Sequence, residues 1–255
     1  MPALYDDETF FAGYSGMIRS KEGLDGAAEW PAMRALVPPL GGLRVLDLGC
    51  GFGWFARWAA GEGASSVLGV DVSARMLERA KTMTEVASIR YVRADLEGFE
   101  PAPHSFDLAY SSLALHYVDN LARLFGAIHR ALTPGGRLVF SVEHPIFTAP
   151  SAPGWTLDAA GRKVWPLDGY QQEGPRTTRW LGRDVVKQHR TIATYVTLLL
   201  RAGFTIAHLE EWAPTPEQVQ SRPDWAEERD RPMFMLMAAQ AGASSRPVAS
   251  GERQR

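Results

Sequence analysis

The chain has 255 residues, and its 27 Lys and Arg against 29 Asp and Glu give a formal net charge of -2. This length can bury a substantial core, whereas the near-neutral charge excludes a global positive field that would attract nucleic acid or an anionic membrane. The single cysteine, Cys50, excludes an intrachain disulfide and fits a reducing cytoplasm.

The N-terminal part of the chain predicts helices. The stretch from Asp7 to Val37 is typical of one or two helices, which a run of prolines and glycines ends before the first strand. We expect residues 1–42 to form a helical lid, although a surface helix also explains Tyr14 and Arg19. The candidate residues that would face a bound ligand from this lid are Tyr5, Tyr14, Arg19 and Trp30.

From Leu43 to Ser141, short apolar runs alternate with helical patterns. The predicted strands are Arg44–Leu48, Ser66–Val70, Ile89–Val92, Phe106–Tyr110 and Arg137–Glu143. The predicted helices are Trp54–Ala60, Ala74–Glu85 and Leu121–Leu132. Such alternation with short turns indicates a parallel sheet that helices cover on both faces.

The segment 145–188 differs from the rest in its many prolines and aromatic residues. We interpret it as an ordered insert on the substrate side of a single domain spanning residues 1–241. Its aromatic residues predict either a substrate wall that binds a cationic amine or a small satellite core: Trp155, Trp165, Tyr170 and Trp180.

The C-terminal part predicts one helix and two strands. The helix covers His189–Ala202, and the strands cover Phe204–Trp212 and Pro232–Ala239. Prolines between the two strands exclude a tight hairpin. We expect residues 242–255 to be disordered, because they contain little apolar side chain.

A glycine-rich turn follows the first strand, with Gly49, Gly51 and Gly53 in G-x-G-x-G spacing. Glycines let a backbone approach a ligand closely, and the helix that follows presents oriented N–H groups. A dinucleotide fingerprint requires G-x-G-x-x-G, but Trp54 stands where that pattern would continue. Asp47, two residues before the first glycine, would repel a pyrophosphate and accept a hydrogen bond from an ammonium group. The turn therefore favours a ligand with an amino-acid end.

Acidic residues end the next two strands. Asp71 follows the second strand, where a carboxylate can accept hydrogen bonds from both hydroxyls of a ribose. Asp95 follows the third, where it can accept from an adenine amino group. Each has a structural alternative, because an acid at this position also caps the following helix. The fourth strand ends at Ser111, beside the point where open sheets bind ligands.

The ordered motifs VLDLGCGFG, GVDVS, ADLE, FDLAYSSLALHYV and LTPGGRLVFS resemble those of class I S-adenosylmethionine-dependent methyltransferases, the bacterial methyltransferase-domain group with small-molecule acceptors. The resemblance implies an α/β fold with a Rossmann-like doubly wound seven-stranded sheet. It implies the strand order 3-2-1-4-5-7-6 with strand 7 antiparallel. The expected cofactor-binding residues are Tyr14, Asp47, Gly49, Gly51, Asp71, Val72, Met76, Asp95, Leu96, Ser111 and Ser112.

Methyl transfer is an SN2 displacement, and alignment of the reactants supplies much of its acceleration. Histidines are the candidate bases, because their pKa lies near neutrality. His144 follows the fifth strand, His116 the fourth, and His189 the insert. The structural alternatives are a turn residue for His144, a wall of the cofactor pocket for His116 and a helix cap or surface residue for His189. We see no metal-ligand spacing among the His, Cys and carboxylate residues.

The sequence thus predicts a methyltransferase that moves a methyl group from S-adenosylmethionine to O or N of a small molecule and leaves S-adenosylhomocysteine. The alternatives are a non-catalytic S-adenosylmethionine-binding protein and an NAD-dependent oxidoreductase. We expect a cytoplasmic monomer or homodimer that involves no nucleic acid and no membrane. The Ser111–Ala114 stretch lacks the Asn/Asp-Pro-Pro-aromatic motif of amino-methylating DNA enzymes, and no segment approaches the roughly 20 apolar residues of a membrane span.

Overall fold

The computed structural model describes residues 4–242, and these begin with a 3-10 turn and three short helices. The turn covers Leu4–Asp6, and the helices are α1 (Glu8–Ser15), α2 (Ile18–Glu22) and α3 (Trp30–Leu36). Asp7 begins α1 because its carboxylate accepts the N–H of Phe10 at 3.0 Å. Gly23 ends α2 with a φ of 65°, so the predicted one or two helices form three.

The alternating part of the chain forms five strands and three helices. The strands are β1 (Arg44–Leu48), β2 (Ser66–Asp71), β3 (Ile89–Arg93), β4 (Phe106–Ser112) and β5 (Leu132–Glu143). The helices are α4 (Trp54–Gly61), α5 (Ala74–Thr82) and α6 (Leu121–Ala131). Every strand and helix predicted in this region is confirmed. The predicted end of α5 at Glu85 is wrong by three residues, and β5 begins five residues before the predicted Arg137.

The insert consists of a short helix and two antiparallel hairpins. Its elements are α7 (Pro145–Thr148), β6 (Thr156–Leu157), β7 (Lys163–Val164), β8 (Gly174–Trp180) and β9 (Arg183–His189). Neither hairpin joins the central sheet. The prediction that a helix begins at His189 is wrong, because His189 still pairs with Gly174 in the second hairpin.

The C-terminal part forms α8 (Ile192–Arg201), β10 (Phe204–Trp212), α9 (Pro216–Ser221) and β11 (Phe234–Ala241). Thr191 begins α8 because its hydroxyl accepts the N–H of Thr194 at 3.2 Å. Of the prolines expected to exclude a tight hairpin, Pro216 begins α9, Pro223 begins a 3-10 helix over Pro223–Arg229, and Pro214 lies between β10 and α9. The predicted disordered tail lies outside the described residues, apart from Gly242.

The seven strands of the central sheet follow the order β3-β2-β1-β4-β5-β11-β10. The β1, β2, β3, β4 and β5 strands pair in parallel, whereas β11 runs antiparallel to both of its neighbours. The predicted doubly wound sheet with an antiparallel seventh strand is confirmed. Apolar clusters on its two faces hold the helices in place. The carboxyl ends of the parallel strands meet at one edge, where open sheets bind ligands.

Aromatic rings beside the first hairpin of the insert contact a cationic side chain of the same protein, Arg231. The guanidinium of Arg231 lies 4.2 Å from the ring centroid of Trp165, 4.6 Å from that of Phe147 and 5.4 Å from that of Trp155. Arg231 is buried and also pairs with Glu228. These three rings therefore belong to the satellite core that the sequence offered as the alternative to a substrate wall.

In residues 4–242, no helix has the length and apolar character that crossing a membrane requires.

Candidate active site

The glycine-rich turn between β1 and α4 has a backbone that only glycine adopts readily. Gly49, Gly51 and Gly53 have φ angles of 72°, 51° and 71°. A Cβ on Gly49 would lie 2.3 Å from the Cβ of Ala114, and one on Gly53 would lie 2.1 Å from the hydroxyl of Tyr91. A Cβ on Gly51 would meet no described atom within 4 Å. Gly51 therefore faces open space, while the lack of a side chain at Gly49 and Gly53 allows Ala114 and Tyr91 to pack closely against the turn.

Asp71 at the end of β2 lies against this turn. Its Oδ2 accepts the N–H of Gly51 at 2.9 Å, and its Oδ1 accepts the N–H of Ser73 at 2.9 Å. Burial raises the pKa of Asp71, although both hydrogen bonds oppose that rise. Each oxygen retains a lone pair, so the carboxylate can also accept a pair of hydroxyl groups.

Asp47 lies beneath the turn, at the fourth position of β1, and is buried. Its Oδ2 has no hydrogen-bond partner among residues 4–242. Burial, and then the nearby charge of Asp71, raises the pKa of Asp47 to about 8. A buried carboxylate oxygen without a donor suits a cationic group, which would supply both the hydrogen bond and the compensating charge.

The remaining residues expected at the adenosine end follow β2 and β3. Val72 and Met76 flank Ser73, whose hydroxyl accepts the N–H of Met76 at 3.1 Å to begin α5. Asp95 accepts the N–H of Glu97 at 3.0 Å, which forms a turn and no helix cap. Leu96 packs against the apolar core. These residues share one edge of the sheet with Asp71.

The two serines at the end of β4 have different surroundings. Ser111 is buried and donates its hydroxyl to the carbonyl oxygen of Leu48 at 2.8 Å, which ties β4 to β1. Ser112 Oγ lies 3.4 Å from a guanidinium nitrogen of Arg19 and 3.4 Å from Ser141 Oγ. Ser111 thus stabilises the sheet with its side chain, whereas Ser112 meets the N-terminal helices.

Arg19 brings a half-buried charge to this edge. Its Nη2 lies 2.5 Å from Oε1 and 2.7 Å from Oε2 of Glu29. The charge of Glu29 raises the pKa of Arg19 against the effect of burial. A guanidinium held in this way retains further donors for a carboxylate.

The N-terminal residues place aromatic rings over the same edge. The rings of Tyr5 and Tyr14 lie 5.2 Å apart, and the Tyr14 ring lies 5.8 Å from that of Phe52 in the glycine-rich turn. Trp180 of the second hairpin lies 6.3 Å from Tyr14. Trp30 does not take part: its ring centroid lies 4.8 Å from that of Trp58, and it is buried in a core cluster with Phe55 of α4. The expectation for Trp30 is therefore wrong, because burial against α4 holds its indole away from the edge.

Two of the candidate histidines have both ring nitrogens engaged within the chain. His144 begins α7: its Nδ1 accepts the N–H of Ile146 at 3.0 Å, and its Nε2 donates to Glu211 at 2.8 Å. His189 lies with Nδ1 2.9 Å from the Thr148 hydroxyl, and its Nε2 donates to the Tyr170 carbonyl at 2.9 Å. Burial lowers the pKa of both imidazoles.

His116 lies closer to the edge, in a short 3-10 helix after β4. Its Nδ1 accepts the backbone N–H of Glu143 at 3.3 Å. Burial lowers the pKa of His116 well below its usual value, and the charges of Lys187 and Arg190 lower it further. The imidazole is therefore neutral at physiological pH.

Sequence reasoning missed the ion pair between Glu143 and Lys187. Glu143 ends β5, beside the singled-out His144, and its position at the carboxyl end of a strand was a usable signal. Lys187 lies on β9 and carries no such signal, because only the fold of the hairpin brings it to Glu143.

In the part of the chain that the structure describes, no group of three or more His, Cys, Asp or Glu residues is placed to hold a metal ion.

Known proteins resemble this chain over most of its length. A family described as a methyltransferase domain matches residues 46–140. A crystal structure of an S-adenosylmethionine-dependent methyltransferase from Mesorhizobium loti shares 59% identity, covers 86% of this chain and 100% of its own, and has a TM-score of 0.83. The chain belongs to the S-adenosylmethionine-dependent methyltransferases. This membership confirms the predicted enzyme class and cofactor and does not support the NAD-dependent alternative.

Two curated relatives show how far the similarity of this methyltransferase extends. An uncharacterized protein of Haemophilus influenzae is 32% identical over 234 residues, which are 89% of this chain and 90% of the relative. A malonyl-acyl-carrier-protein O-methyltransferase of Pectobacterium atrosepticum is 36% identical over 152 residues, which are 60% of this chain and 54% of the relative. The second similarity thus spans about half of that relative.

The described residues fit the amino-acid and ribose ends of S-adenosylmethionine. Asp47 presents a buried oxygen without a donor, and Gly51 faces open space. Asp71 presents a carboxylate beside that space. These three features suit an ammonium group, a close ligand approach and a ribose, respectively.

Proposed function

We propose that this methyltransferase acts on an oxygen or nitrogen atom of a small molecule at the edge formed by β1, β4 and β5. The observation that carries this proposal is the aromatic cover over that edge. Phe10 of α1 lies 5.3 Å from Trp180 of the second hairpin, and Arg183 at the tip of that hairpin pairs with Asp7 at 2.8 Å. A cover closed in this way favours a small acceptor over a nucleic acid or a protein segment.

We propose that the predicted lid, residues 1–42, forms this cover through its described residues 4–42 together with residues 145–188, as parts of one domain; residues 1–3 lie outside the described residues. The first segment contributes Tyr5 from its 3-10 turn and Phe10 and Tyr14 from α1, and the second hairpin contributes Trp180. Asp6 supports the arrangement, because its Oδ1 accepts the hydroxyl of Ser73 at 2.6 Å. Exclusion of water by such a cover protects a reacting pair from solvent.

The cofactor-binding assignment rests on the same edge. S-adenosylmethionine, when bound, supplies an activated methyl group on a sulfonium. We propose that Asp47 holds its ammonium group, Arg19 and Tyr14 its carboxylate, and Asp71 its ribose. The backbone and apolar contacts in this proposal come from Gly49, Gly51, Val72, Met76, Asp95, Leu96, Ser111 and Ser112. Because the donor is already activated, alignment is the principal task of these residues.

Among the histidines, His116 is the candidate that best suits contact with an acceptor. It lies at the covered edge and is neutral, whereas both nitrogens of His144 and His189 are engaged elsewhere. We therefore propose that His144 begins α7, that His189 anchors the insert, and that His116 lines the acceptor side. A cytoplasmic location and a monomeric or homodimeric state remain part of this proposal, and the net charge of -2 supports the exclusion of nucleic acid.

Calorimetric titration with S-adenosylhomocysteine tests the cofactor site. We expect Asp71→Ala to weaken binding about 10-fold to 100-fold, because it removes acceptors for two hydroxyls. Asp158→Ala, in the first hairpin, is the matched control and should leave the affinity unchanged. Equal affinity in the wild type and Asp71→Ala would contradict the assignment.

Turnover with methyl-labelled S-adenosylmethionine tests the acceptor class. We expect the label to move to O or N of one or more members of a small-molecule panel and not to bulk tRNA or an acyl carrier protein. Transfer to either macromolecule alone would overturn the small-molecule assignment, while the cofactor assignment would stand.

A further inference from the structure

The carboxylate of Glu143 lies at the end of β5, in a polar cluster under the cover. Lys187 Nζ lies 2.5 Å from Glu143 Oε1, and the side chains of Lys187 and Glu143 are only 9% and 16% exposed. The ammonium of Lys187 also lies 5.5 Å from the ring of Trp180, which belongs to the cover. A charged pair this far from solvent requires good geometry to offset its desolvation.

The second oxygen of Glu143 has no donor. Oε2 is buried, and residues 4–242 offer it no hydrogen-bond partner. Leaving a charged acceptor unpaired in the interior costs free energy. This unpaired oxygen lies at the carboxyl end of a parallel strand, where open α/β sheets bind ligands.

Neighbouring groups connect Glu143 to the proposed methyl-transfer edge. Burial raises the pKa of Tyr117, and the charge of Glu143 raises it further. The Tyr117 hydroxyl lies 3.4 Å from that of Tyr5, and the Tyr5 ring lies 5.2 Å from Tyr14. Asp71 in turn raises the pKa of Tyr14, although burial has the larger effect. His116 accepts the N–H of Glu143, and its ring lies 4.4 Å from that of Tyr117. Glu143 and the cover residues Tyr5 and Tyr14 therefore belong to one connected set of contacts.

We propose that Glu143 Oε2 binds the nucleophilic O–H or N–H of the acceptor and takes its proton, and that Lys187 positions this carboxylate through Oε1. This inference rests on the proposed function, since it assigns the acceptor side of the same site. It makes Glu143 a catalytic residue and Lys187 a positioning residue. The acceptor class is a small molecule with an apolar body and at least one O–H or N–H group.

The proposed step is balanced without a further reactant. The acceptor oxygen or nitrogen forms a bond to the methyl carbon, and the bond from that carbon to sulfur breaks. The electron pair of the broken bond stays on sulfur, so the sulfonium becomes a thioether. The proton of the acceptor moves to Glu143 Oε2 and leaves to water when the product departs.

The surrounding residues explain why a carboxylate has this role and not a histidine. His116 is the nearest candidate, but its Nδ1 is engaged with the N–H of Glu143 itself. Lys187 and Arg190 place positive charges beside it, which oppose a cationic imidazole. The ammonium of Lys187 instead pairs with Glu143 Oε1.

The aromatic rings of the cover define the rest of the acceptor. Tyr5, Tyr14 and Trp180 pack edge to face, and the Trp180 ring lies 5.5 Å from the ammonium of Lys187. Since Oε2 accepts a hydrogen bond and cannot donate one when ionised, an acceptor without a proton would leave it unpaired. Thioethers, pyridines and tertiary amines are therefore excluded as good acceptors.

The test begins with binding to the complex of the full chain with S-adenosylhomocysteine. The probes are matched pairs that differ in the proton: phenol and anisole, benzyl alcohol and benzyl methyl ether, aniline and N,N-dimethylaniline. Saturation-transfer NMR should show at least one pair in which the proton-bearing member binds about 10-fold more tightly. Glu143→Gln should reduce that preference, because a neutral amide is a weaker acceptor than a carboxylate.

Turnover of the preferred probe then separates catalysis from structure. Glu143→Gln should lower kcat about 100-fold or more, with KM changed by less than about threefold. Lys187→Met should lower kcat as well, and Lys187→Arg should restore most of it. Glu100→Gln makes the same chemical change in an exposed ion pair with Arg130 and should leave kcat unchanged.

Three outcomes would overturn the inference. These are the absence of any pair that favours the proton-bearing member, a kcat of Glu143→Gln close to that of the wild type, and a loss in Lys187→Met that Lys187→Arg does not restore. Affinity for S-adenosylhomocysteine distinguishes a failure of the Glu143 assignment from a failure of the proposed function. Glu143→Gln should retain that affinity, whereas a wild type that does not bind S-adenosylhomocysteine would overturn the cofactor site.

Discussion

Two regions meet at the edge of the sheet, and they are built in different ways. The cofactor edge consists of the glycine-rich turn with Asp47 and Asp71, and its hydrogen bonds join residues within one short stretch of the chain, from β1 through α4 to the end of β2. The cover consists of the N-terminal helices and the insert. Its contacts join distant parts of the chain, such as Arg183 with Asp7 and Phe10 with Trp180.

The two regions are specified by different features of the sequence. Backbone conformation and backbone N–H groups shape the cofactor edge, so a short motif suffices to specify it. Aromatic packing and buried ion pairs shape the cover, and neither has a fixed spacing in the sequence. Substitutions should therefore affect stability through the cover and affinity for the cofactor through the edge.

The largest expected effect lies at Arg231 in the satellite core of the insert. Arg231→Ala removes a buried guanidinium from three aromatic rings and leaves Glu228 without its cation. We expect the free energy of unfolding to fall by about 3 kcal/mol, while affinity for S-adenosylhomocysteine stays near that of the wild type at low temperature. Urea unfolding and calorimetry measure the two quantities.

Arg222 provides the matched control for this prediction. It also lies over an indole, 4.7 Å from the ring of Trp225, and pairs with Asp224 at 2.9 Å. Its side chain is 41% exposed, so Arg222→Ala should cost less than about 1 kcal/mol. Equal losses in the two variants would show that burial does not determine the contribution of Arg231.

The second prediction concerns the cofactor edge. Gly51→Ala places a methyl group in the open space of the turn at a φ of 51°. We expect affinity for S-adenosylhomocysteine to fall about 10-fold to 100-fold, with a loss of about 1 kcal/mol in stability from the left-handed backbone. Calorimetric titration and urea unfolding separate the two effects.

Gly61 is the control for Gly51. A Cβ there also meets no described atom within 4 Å, but the residue lies at the end of α4 with no positive φ. Gly61→Ala should leave affinity unchanged and raise stability by up to about 1 kcal/mol. A Gly51→Ala variant with wild-type affinity would show that the ligand does not approach the turn at this position.

The smallest expected effect is a dependence of cofactor affinity on pH. Because burial and Asp71 raise the pKa of Asp47 to about 8, this carboxyl is mostly protonated at pH 7. The ammonium of the cofactor favours the ionised form, so binding should lower the pKa and release a proton. Affinity should therefore rise with pH between about 6 and 7.5, by at most tenfold per pH unit.

Titration at pH 7 in two buffers of different ionisation enthalpy measures the released proton. Asp47→Asn should abolish both the release and the slope, because an amide does not titrate in this range. Proton uptake on binding, or a slope that persists in Asp47→Asn, would assign the pH dependence to another group.

Much of the fold followed from sequence patterns, because hydrophobic alternation and turn residues act locally. The strands at Arg44–Leu48 and Phe204–Trp212 have the predicted bounds. His189 was harder to predict, since its place in β9 depends on pairing with Gly174 across a hairpin. Trp30 was likewise misjudged, because an aromatic residue in a lid and one in a core look alike until their neighbours are known.

The sequence by itself determined the enzyme family and the cofactor, because glycines and strand-end acids have fixed spacings along the chain, and the resemblance to that family implied the order of the strands. The tertiary structure decided which polar groups meet beneath the cover. Glu143 and Lys187 are 44 residues apart, and only the folding of the insert over the sheet brings them together. Local sequence patterns do not predict this ion pair, since side-chain pairing across distant segments depends on the packing of the whole domain.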